Sequence, residues 1–374
     1  MNMKIRITYI VLLLLVLLTG CAKYITPDSG SEATSYIFFS QSLDTKASLV
    51  NSSANMDSFG VVGYKYDMSK SWTNTTATDR ETVFYDDQAL PVNPETIKIS
   101  NGICSYEPLQ GWSNTKKYSF FAYYPLGNDY VTLQTDDSGT PSLSKGSPTI
   151  VYEMDCSSAT ALAASMVDVM TAPCYKDQYA YTSIGNNPTV GDINFAFDHR
   201  LSCLGVNVRN SSSGSIKLNS VSLTFTGMAY DQISIPLDNT MSVNKTTTSA
   251  DTKAATFTID LLASTENSVT VPITQTGEEG VELSEKLIFI PQQGDGNLLS
   301  VRVSVNYTRE AANGYQGYSD STVLPSASTY LTTSLVEGKK HLIYLNFTDS
   351  TVDINPTLYS NGWGTPHKIQ DTFN

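Results

Sequence analysis

The sequence is poor in histidine and in basic residues. His199, His341 and His367 stand far apart among 374 residues, and 36 acidic residues outnumber 23 Lys and Arg, for a formal net charge of −13. Nucleic-acid binding needs clustered Lys and Arg, so this balance argues against a nucleic-acid partner. The histidines are too few and too isolated for a metal site or a triad, and His341 alternates with apolar residues as core or edge histidines do.

Motifs for catalysis or cofactor binding are also missing. No zinc-protease, nucleophile-elbow, phosphate-loop or dinucleotide pattern occurs, and no acidic pair has the alternating spacing of a calcium loop. We therefore expect no enzyme, no metal site and no cofactor. A β-sandwich hydrolase with two facing carboxylates would leave no local motif and stays an alternative.

Cysteine is sparse. Besides Cys21 the chain has Cys104, Cys156, Cys174 and Cys203, with no C-x-x-C pair, which disfavours a redox motif or a zinc knuckle. An exported location permits disulfides, and four cysteines leave three connectivities open. Cys203 lies within an apolar, strand-like run, which favours a buried thiol there.

The long hydrophobic run of the chain stands at its beginning. A basic start precedes an apolar run over residues 9–18, and a Leu-Thr-Gly-Cys box ends at Cys21. The run is too short to cross a bilayer comfortably, and the box is typical of a lipoprotein export signal. We expect removal of residues 1–20, acylation of Cys21 and attachment to the outer membrane through lipid, with residues 21–35 as a polar tether.

From residue 36 onward, apolar and polar residues alternate with period two, which predicts β-strands. Helical periodicity is nearly absent outside a short Ala-rich stretch at residues 159–167. The clearest alternation comprises Leu299, Val301, Val303, Val305 and Tyr307. Similar runs cover residues 36–43, 59–66, 118–124, 201–208, 216–225, 257–261, 287–290 and 341–347.

Many strands with polar turns predict an all-β protein of two tandem antiparallel β-sandwich domains. The chain is longer than one hydrophobic core usually serves. Gly, Asn and Pro interrupt the pattern between residues 175 and 191, so we expect an N-terminal domain at 36–188 and a C-terminal domain at 189–374. Trp72 and Trp112 lie in polar contexts that would allow stacking on sugars, so a surface glycan-binding lipoprotein is an alternative function.

Short runs spread over nearly the whole chain stand in a characteristic order. After Cys21 come Ile37-Phe38-Phe39, Thr45-Lys46-Ala47, Phe59-Gly60-Val61, and the runs at 118–125, 167–172, 195–201, 287–292, 337–341 and 362–363. In order and spacing these runs resemble the fimbrillin family of Bacteroidales, the lipoprotein-derived type V pilins sometimes called Mfa-like.

The resemblance implies two transthyretin-like sandwiches that serve as a stalk, anchor or tip subunit of adhesive surface fimbriae. The implied location is the cell surface and outer membrane, as a lipid-anchored precursor. Other pilin subunits are then the partners, with host or bacterial surface ligands as further candidates. The family often has Arg at the position of Lys46, which leaves processing by a trypsin-like protease open.

Assembly by strand replacement is the corresponding hypothesis for how subunits join. Lys46 is the only basic residue between Lys23 and Lys65, so cleavage between Lys46 and Ala47 would detach the lipid and the first strand. A partner's strand would then fill the groove by β-augmentation. The first strand presents an apolar face formed by Ile37, Phe39 and Leu43. The C-terminal segment presents another, formed by Val352, Ile354 and Leu358.

Overall fold

Strands dominate the part of the chain that the computed structural model describes. That part comprises residues 36–43, 56–84, 94–113, 115–134, 147–179, 193–238, 243–248, 256–262, 268–274, 280–283, 287–291, 300–309, 318–323, 335–350, 352–355 and 359–360. The all-β prediction is confirmed.

The strands of the first half follow the alternating runs closely. They are β1 (Phe39–Leu43), β2 (Ser58–Asp67), β3 (Glu81–Phe84), β4 (Glu95–Ser100), β5 (Ile103–Ser105), β6 (Lys116–Tyr124), β7 (Val131–Gln134), β8 (Thr149–Glu153), β9 (Met170–Thr171), β10 (Tyr175–Gln178) and β11 (Ile193–His199).

The second half continues the same pattern. Its strands are β12 (Ser202–Asn210), β13 (Ile216–Thr226), β14 (Gln232–Pro236), β15 (Asn244–Thr246), β16 (Thr256–Asp260), β17 (Val269–Val271), β18 (Val281–Glu282), β19 (Leu287–Phe289), β20 (Ser300–Arg309), β21 (Tyr318–Val323), β22 (Lys340–Phe347), β23 (Val352–Asn355) and β24 (Tyr359–Ser360).

Helical structure among the described residues is limited to short pieces. Helix α1 spans Ala159–Ser165, as the Ala-rich stretch predicts, and the Ser158 side chain caps it by accepting a hydrogen bond from the Ala161 amide at 3.1 Å. Two 3₁₀ turns span Trp72–Asn74 and Ala77–Asp79. None of these helices is long and apolar enough to cross a membrane.

Within the described residues the strands form four sheets, of nine, six, five and four strands. The nine-stranded sheet has the order β1-β11-β9-β6-β2-β4-β5, with β10 on β6 and β3 on β2. The six-stranded sheet runs β18-β12-β22-β23, the five-stranded sheet β16-β13-β20-β21, and the four-stranded sheet β15-β14-β8-β7. Most pairs are antiparallel, but β1 pairs with β11, and β12 with β22, in parallel.

The central strands of the nine-stranded sheet are buried on both faces. On β2, Phe59 and Val61 point to one cluster of buried side chains, whereas Val62 and Tyr64 point to a second and larger cluster. Because both faces are covered, these strands are nearly continuous apolar runs with little alternation. The smaller cluster lies on the face that β1 helps to cover.

The predicted boundary at residue 188 lies outside the described residues, and the two-domain division stays a prediction. Three strand pairings connect residues on opposite sides of that position. Strand β11 pairs with β1 and β9, and β14 pairs with β8.

On β20 the predicted apolar face is confirmed. Val301, Val303, Val305 and Tyr307 are all buried, and the polar residues between them are exposed or half-buried. Leu299 lies outside the described residues.

Candidate functional site

The first strand lies along one edge of the nine-stranded sheet. Its backbone runs parallel to β11 in a register that pairs Phe39 with Ile193 and Leu43 with Phe197. The Ile193 amide donates a hydrogen bond to the Phe38 carbonyl at 2.9 Å. Strand β11 is therefore the neighbour that holds β1 by regular backbone pairing.

The other edge of β1 meets the segment that follows β5. The Ile37 amide donates to the Gln110 carbonyl at 2.9 Å, and the Tyr106 hydroxyl donates to the Ile37 carbonyl at 2.7 Å. Burial raises the pKa of Tyr106 to about 12, so this hydroxyl keeps its proton at neutral pH. The first strand thus occupies a slot between β11 and residues 106–112, which we call the β1 groove.

Aromatic side chains form the floor of the β1 groove. The Phe39 ring meets Phe84 edge-on at 5.1 Å between centroids, meets Phe120 edge-on at 5.6 Å, and stacks on Phe195 at 5.7 Å. Ile37 is fully buried beside them. Aromatic packing of this kind contributes beyond simple area burial, so β1 completes the smaller core.

The two faces of β1 differ sharply. Phe39 is 5% exposed, whereas its neighbour Phe38 is 50% exposed on the outer face. The predicted inward positions of Ile37 and Phe39 are therefore confirmed. Leu43 ends β1, and its side chain lies outside the described residues.

The candidate donor segment pairs within the chain. Strand β23 is the edge strand of the six-stranded sheet and runs antiparallel to β22, with Val352 opposite Phe347 and Ile354 opposite Leu345. Val352 is half-buried against the larger core. Leu358 lies outside the described residues, as do Cys21, Lys46 and Ala47.

Both tryptophans that the alternative function would use as sugar platforms are buried, so this structure does not present them for stacking on a sugar. The Trp72 indole donates to Asp238 Oδ2 at 3.2 Å, and the Arg80 guanidinium covers its ring at 3.5 Å from the centroid. Trp112 packs edge-on against Tyr118 at 5.0 Å. Their polar neighbours in the sequence concealed this burial, because the partners that cover them are distant in sequence.

The described histidines, His199 and His341, make contacts that hold the fold together. His199 Nδ1 lies 2.7 Å from Asp168 Oδ1 in a part-buried pair that connects the end of β11 with the segment before β9. His341 is buried, as predicted, and its Nε2 accepts a hydrogen bond from the Val336 amide at 3.0 Å. Burial lowers the pKa of His341 to about 4. In the described parts of the chain, no group of three His, Cys, Asp or Glu could hold a metal ion.

Some groove residues carried no signal in the sequence. Tyr106 and Gln110 lie in an irregular polar segment, and Phe84 ends a short strand. Only their contacts with β1 identify them. No local pattern in the sequence indicates that β11 pairs with β1. The alternation within β11 is typical of a strand but does not identify its neighbour.

The sequence matches the model of the fimbrillin-like family over residues 45–363. The chain belongs to the fimbrillin-like family. No curated protein matches it in sequence.

Solved structures share the fold. A fimbrial protein from Bacteroides vulgatus is similar at a TM-score of 0.56 and 18% identity, over 87% of this chain and 99% of that one. A candidate cell adhesion protein from Bacteroides uniformis has a TM-score of 0.45 and 13% identity, over 88% and 99% of the two chains. Another, from Bacteroides ovatus, has a TM-score of 0.42 and 11% identity, over 89% and 99%.

Proposed function

We propose that this chain is a structural subunit of adhesive cell-surface fimbriae, is exported as a lipoprotein, and joins neighbouring subunits when a partner's strand replaces β1. Membership of the fimbrillin-like family and the shared fold with a fimbrial protein support the subunit role. The observation that carries the assembly mechanism is the edge position of β1 over an aromatic groove.

Side-chain burial and backbone pairing contribute unequally to the hold on β1. Burying Ile37 and Phe39 is worth roughly 1.5 to 3 kcal/mol each, so about 3 to 6 kcal/mol together. That is close to the lower end of the ~5 to 15 kcal/mol stability of a typical domain. In contrast, within the part of the chain that the structure describes, regular backbone pairing of β1 involves five residues and a single strand, β11. An empty β1 groove is therefore costly, but its occupant is exchangeable.

Cleavage between Lys46 and Ala47 would make that exchange irreversible. It would leave β1 attached only by noncovalent contacts and separate the folded part from the lipid at Cys21. An emptied groove exposes apolar floor residues and unpaired backbone groups of β11, which must be covered again. A strand from another subunit restores both the apolar contacts and the backbone pairing.

The C-terminal segment is the proposed donor. It is already an extended edge strand, and detaching it from β22 leaves most of the six-stranded sheet paired. Pro356 lacks an amide donor, which suits an edge position.

Limited proteolysis tests the assembly mechanism. Protein purified from membranes in detergent is treated with trypsin at low dose and run on a gel without denaturant, and the cut site is identified by mass spectrometry. We expect cleavage after Lys46 followed by a ladder of multimers. Lys46→Gln should abolish the ladder, whereas Lys46→Arg and the nearby control Lys23→Gln should preserve it. Cleavage at Lys46 that yields monomers at every concentration would contradict the mechanism.

Lipid attachment has a separate test. Cys21→Ala removes the sulfur that acylation requires, so the protein should leave the membrane fraction. N-terminal sequencing of protein from cells then distinguishes two forms: a start at Cys21 marks an anchored subunit, and a start at Ala47 marks a polymerising one. Unchanged membrane partitioning of the Cys21→Ala variant would overturn the lipoprotein proposal.

A further inference from the structure

The third inward position of β1 carries a polar side chain. Ile37 and Phe39 face the β1 groove, and the two-residue period of a strand puts Gln41 on the same face. In the parallel register Gln41 lies opposite Phe195, and residues paired across strands share one face of a sheet. Phe195 is fully buried. The half-buried Gln41 side chain therefore lies on the apolar face of the strand, opposite Phe195.

The amide oxygen of Gln41 lacks a hydrogen-bond donor among the described residues. Gln41 Oε1 is buried and has no hydrogen-bond partner among the described residues. The Phe195 ring beside it packs against Phe59 at 5.9 Å and Phe197 at 6.4 Å between centroids, and phenylalanine rings offer no N–H or O–H donor. A carbonyl that gives up water without gaining a hydrogen bond weakens the binding of the segment that carries it.

Among the inward side chains that the structure describes, the weakness is confined to Gln41. Ile37 and Phe39 fit their apolar surroundings, and the Ile37 carbonyl accepts a hydrogen bond from Tyr106. The C-terminal segment offers a contrast in sequence. Its alternate residues Val352, Ile354, Pro356 and Leu358 include no amide side chain.

We propose that the place of Gln41 is a specificity subsite of the β1 groove. It selects an extended strand from a second copy of this chain that presents an apolar side chain there, and Gln41 makes the resident β1 the weaker occupant. This inference rests on the proposed function, because it explains why an incoming strand prevails over the strand already in place. The ligand it defines is an extended segment with three apolar residues at alternate positions.

Two variants of opposite character test the subsite in the full chain. Gln41→Met keeps a similar shape without the amide, so β1 should bind more tightly and the ladder after trypsin cleavage should form about tenfold more slowly. Gln41→Glu keeps the shape but buries a carboxylate, so the ladder should form about tenfold faster. Ser42→Ala, on the outer face, is the control and should leave the rate unchanged. Cleavage at Lys46 is monitored in each variant so that its rate can be factored out.

A peptide experiment measures the subsite without a change in the protein. Synthetic peptides of residues 36–43, with Gln or Met at position 41, are added to freshly cleaved protein. The Met peptide should suppress the ladder at about a tenfold lower concentration, equivalent to about 1.4 kcal/mol. Equal potency of the two peptides would overturn the inference, as would equal ladder rates for the Met and Glu variants.

Failure of the subsite and failure of the proposed function give different results. Wild-type protein that forms ladders unaffected by residue 41 contradicts the subsite alone. Wild-type protein that forms no ladder after cleavage contradicts strand replacement, and the claim that Gln41 is a weak point is then tested by unfolding of the intact chain. There, a higher denaturant midpoint for Gln41→Met supports the weak point, and an unchanged midpoint refutes it.

Discussion

Strands β1 and β20 have the same alternating pattern in sequence and very different positions in the fold. Strand β20 pairs with β13 over most of its length and with β21 on its other side. Among the described residues, strand β1 pairs regularly with β11 alone, and on its other side it has irregular contacts in place of a second strand. Alternation therefore marks which residues face a core, but the number of neighbouring strands decides how firmly backbone pairing holds a strand.

The largest expected effect comes from placing a charge on the buried face of β20. Val303 is buried opposite Leu223 of β13, so Val303→Asp leaves an unpaired carboxylate in a packed layer. We expect a loss of about 4 kcal/mol or more in the free energy of unfolding, measured by urea denaturation. Asn306→Asp, exposed on the same strand, is the matched control and should change stability by less than about 0.5 kcal/mol. A small effect of Val303→Asp would show that β20 is not a core strand.

Truncation of Phe39 tests how much this side chain contributes to holding β1 in the β1 groove. Phe39→Ala should destabilise the intact chain by about 3 to 5 kcal/mol, because it leaves a cavity over the aromatic floor of the β1 groove. Phe38→Ala, on the exposed face, should cost less than about 0.5 kcal/mol. After trypsin cleavage and assembly, the Phe39→Ala multimers should resist denaturant as well as wild-type multimers do, since β1 has left them. Persistent instability of those multimers would show that β1 remains in place.

Acid should weaken the fold through His341 on β22, which like β20 has a strand partner on each side. Burial lowers its folded pKa to about 4, against an ordinary value of 6.5, so the unfolded chain takes up a proton over this range while the folded chain does not. The neutral histidine therefore contributes full stability above about pH 6.5, and up to about 3 kcal/mol is lost as the pH falls toward 4. His341→Gln keeps an acceptor for the Val336 amide and should flatten this part of the stability profile. An unchanged pH dependence in the variant would exclude His341 as the cause.

The smallest effect concerns the hydroxyl at the edge of β1. Tyr106→Phe removes the hydrogen bond to the Ile37 carbonyl and should cost about 1 kcal/mol. Hydrogen–deuterium exchange of the β1 amides should become faster, while exchange in β20 should stay the same. Tyr36→Phe, an exposed tyrosine at the start of the same segment, is the control. Equal protection of β1 in wild type and Tyr106→Phe would mean that the Tyr106 hydroxyl does not help to hold the strand.

Individual residues show how far the sequence predicts the site. The inward positions of Ile37 and Phe39 follow from the sequence, because alternation shows which side chains point to the core wherever one face of a strand is covered. The tyrosine and phenylalanine partners at 106, 84 and 120 were not predicted as groove residues, because nothing in a local pattern shows which distant segments meet. The burial of Trp72 and Trp112 is likewise absent from the local pattern. Polar neighbours in sequence say little about burial when a side chain is covered by Arg80 or Tyr118 from elsewhere in the chain.

By itself the sequence determined the all-β class, the short helix and the inward faces of β1 and β20, because these depend on the two-residue and 3.6-residue periods of the backbone. Only the tertiary structure decided that β1 lies parallel to β11, that aromatic residues from four segments form its groove, and that the Gln41 oxygen is buried without a partner among the described residues. Such features arise from contacts between residues far apart in the chain. Their free energy depends on which side chains meet, and local periodicity carries no record of that.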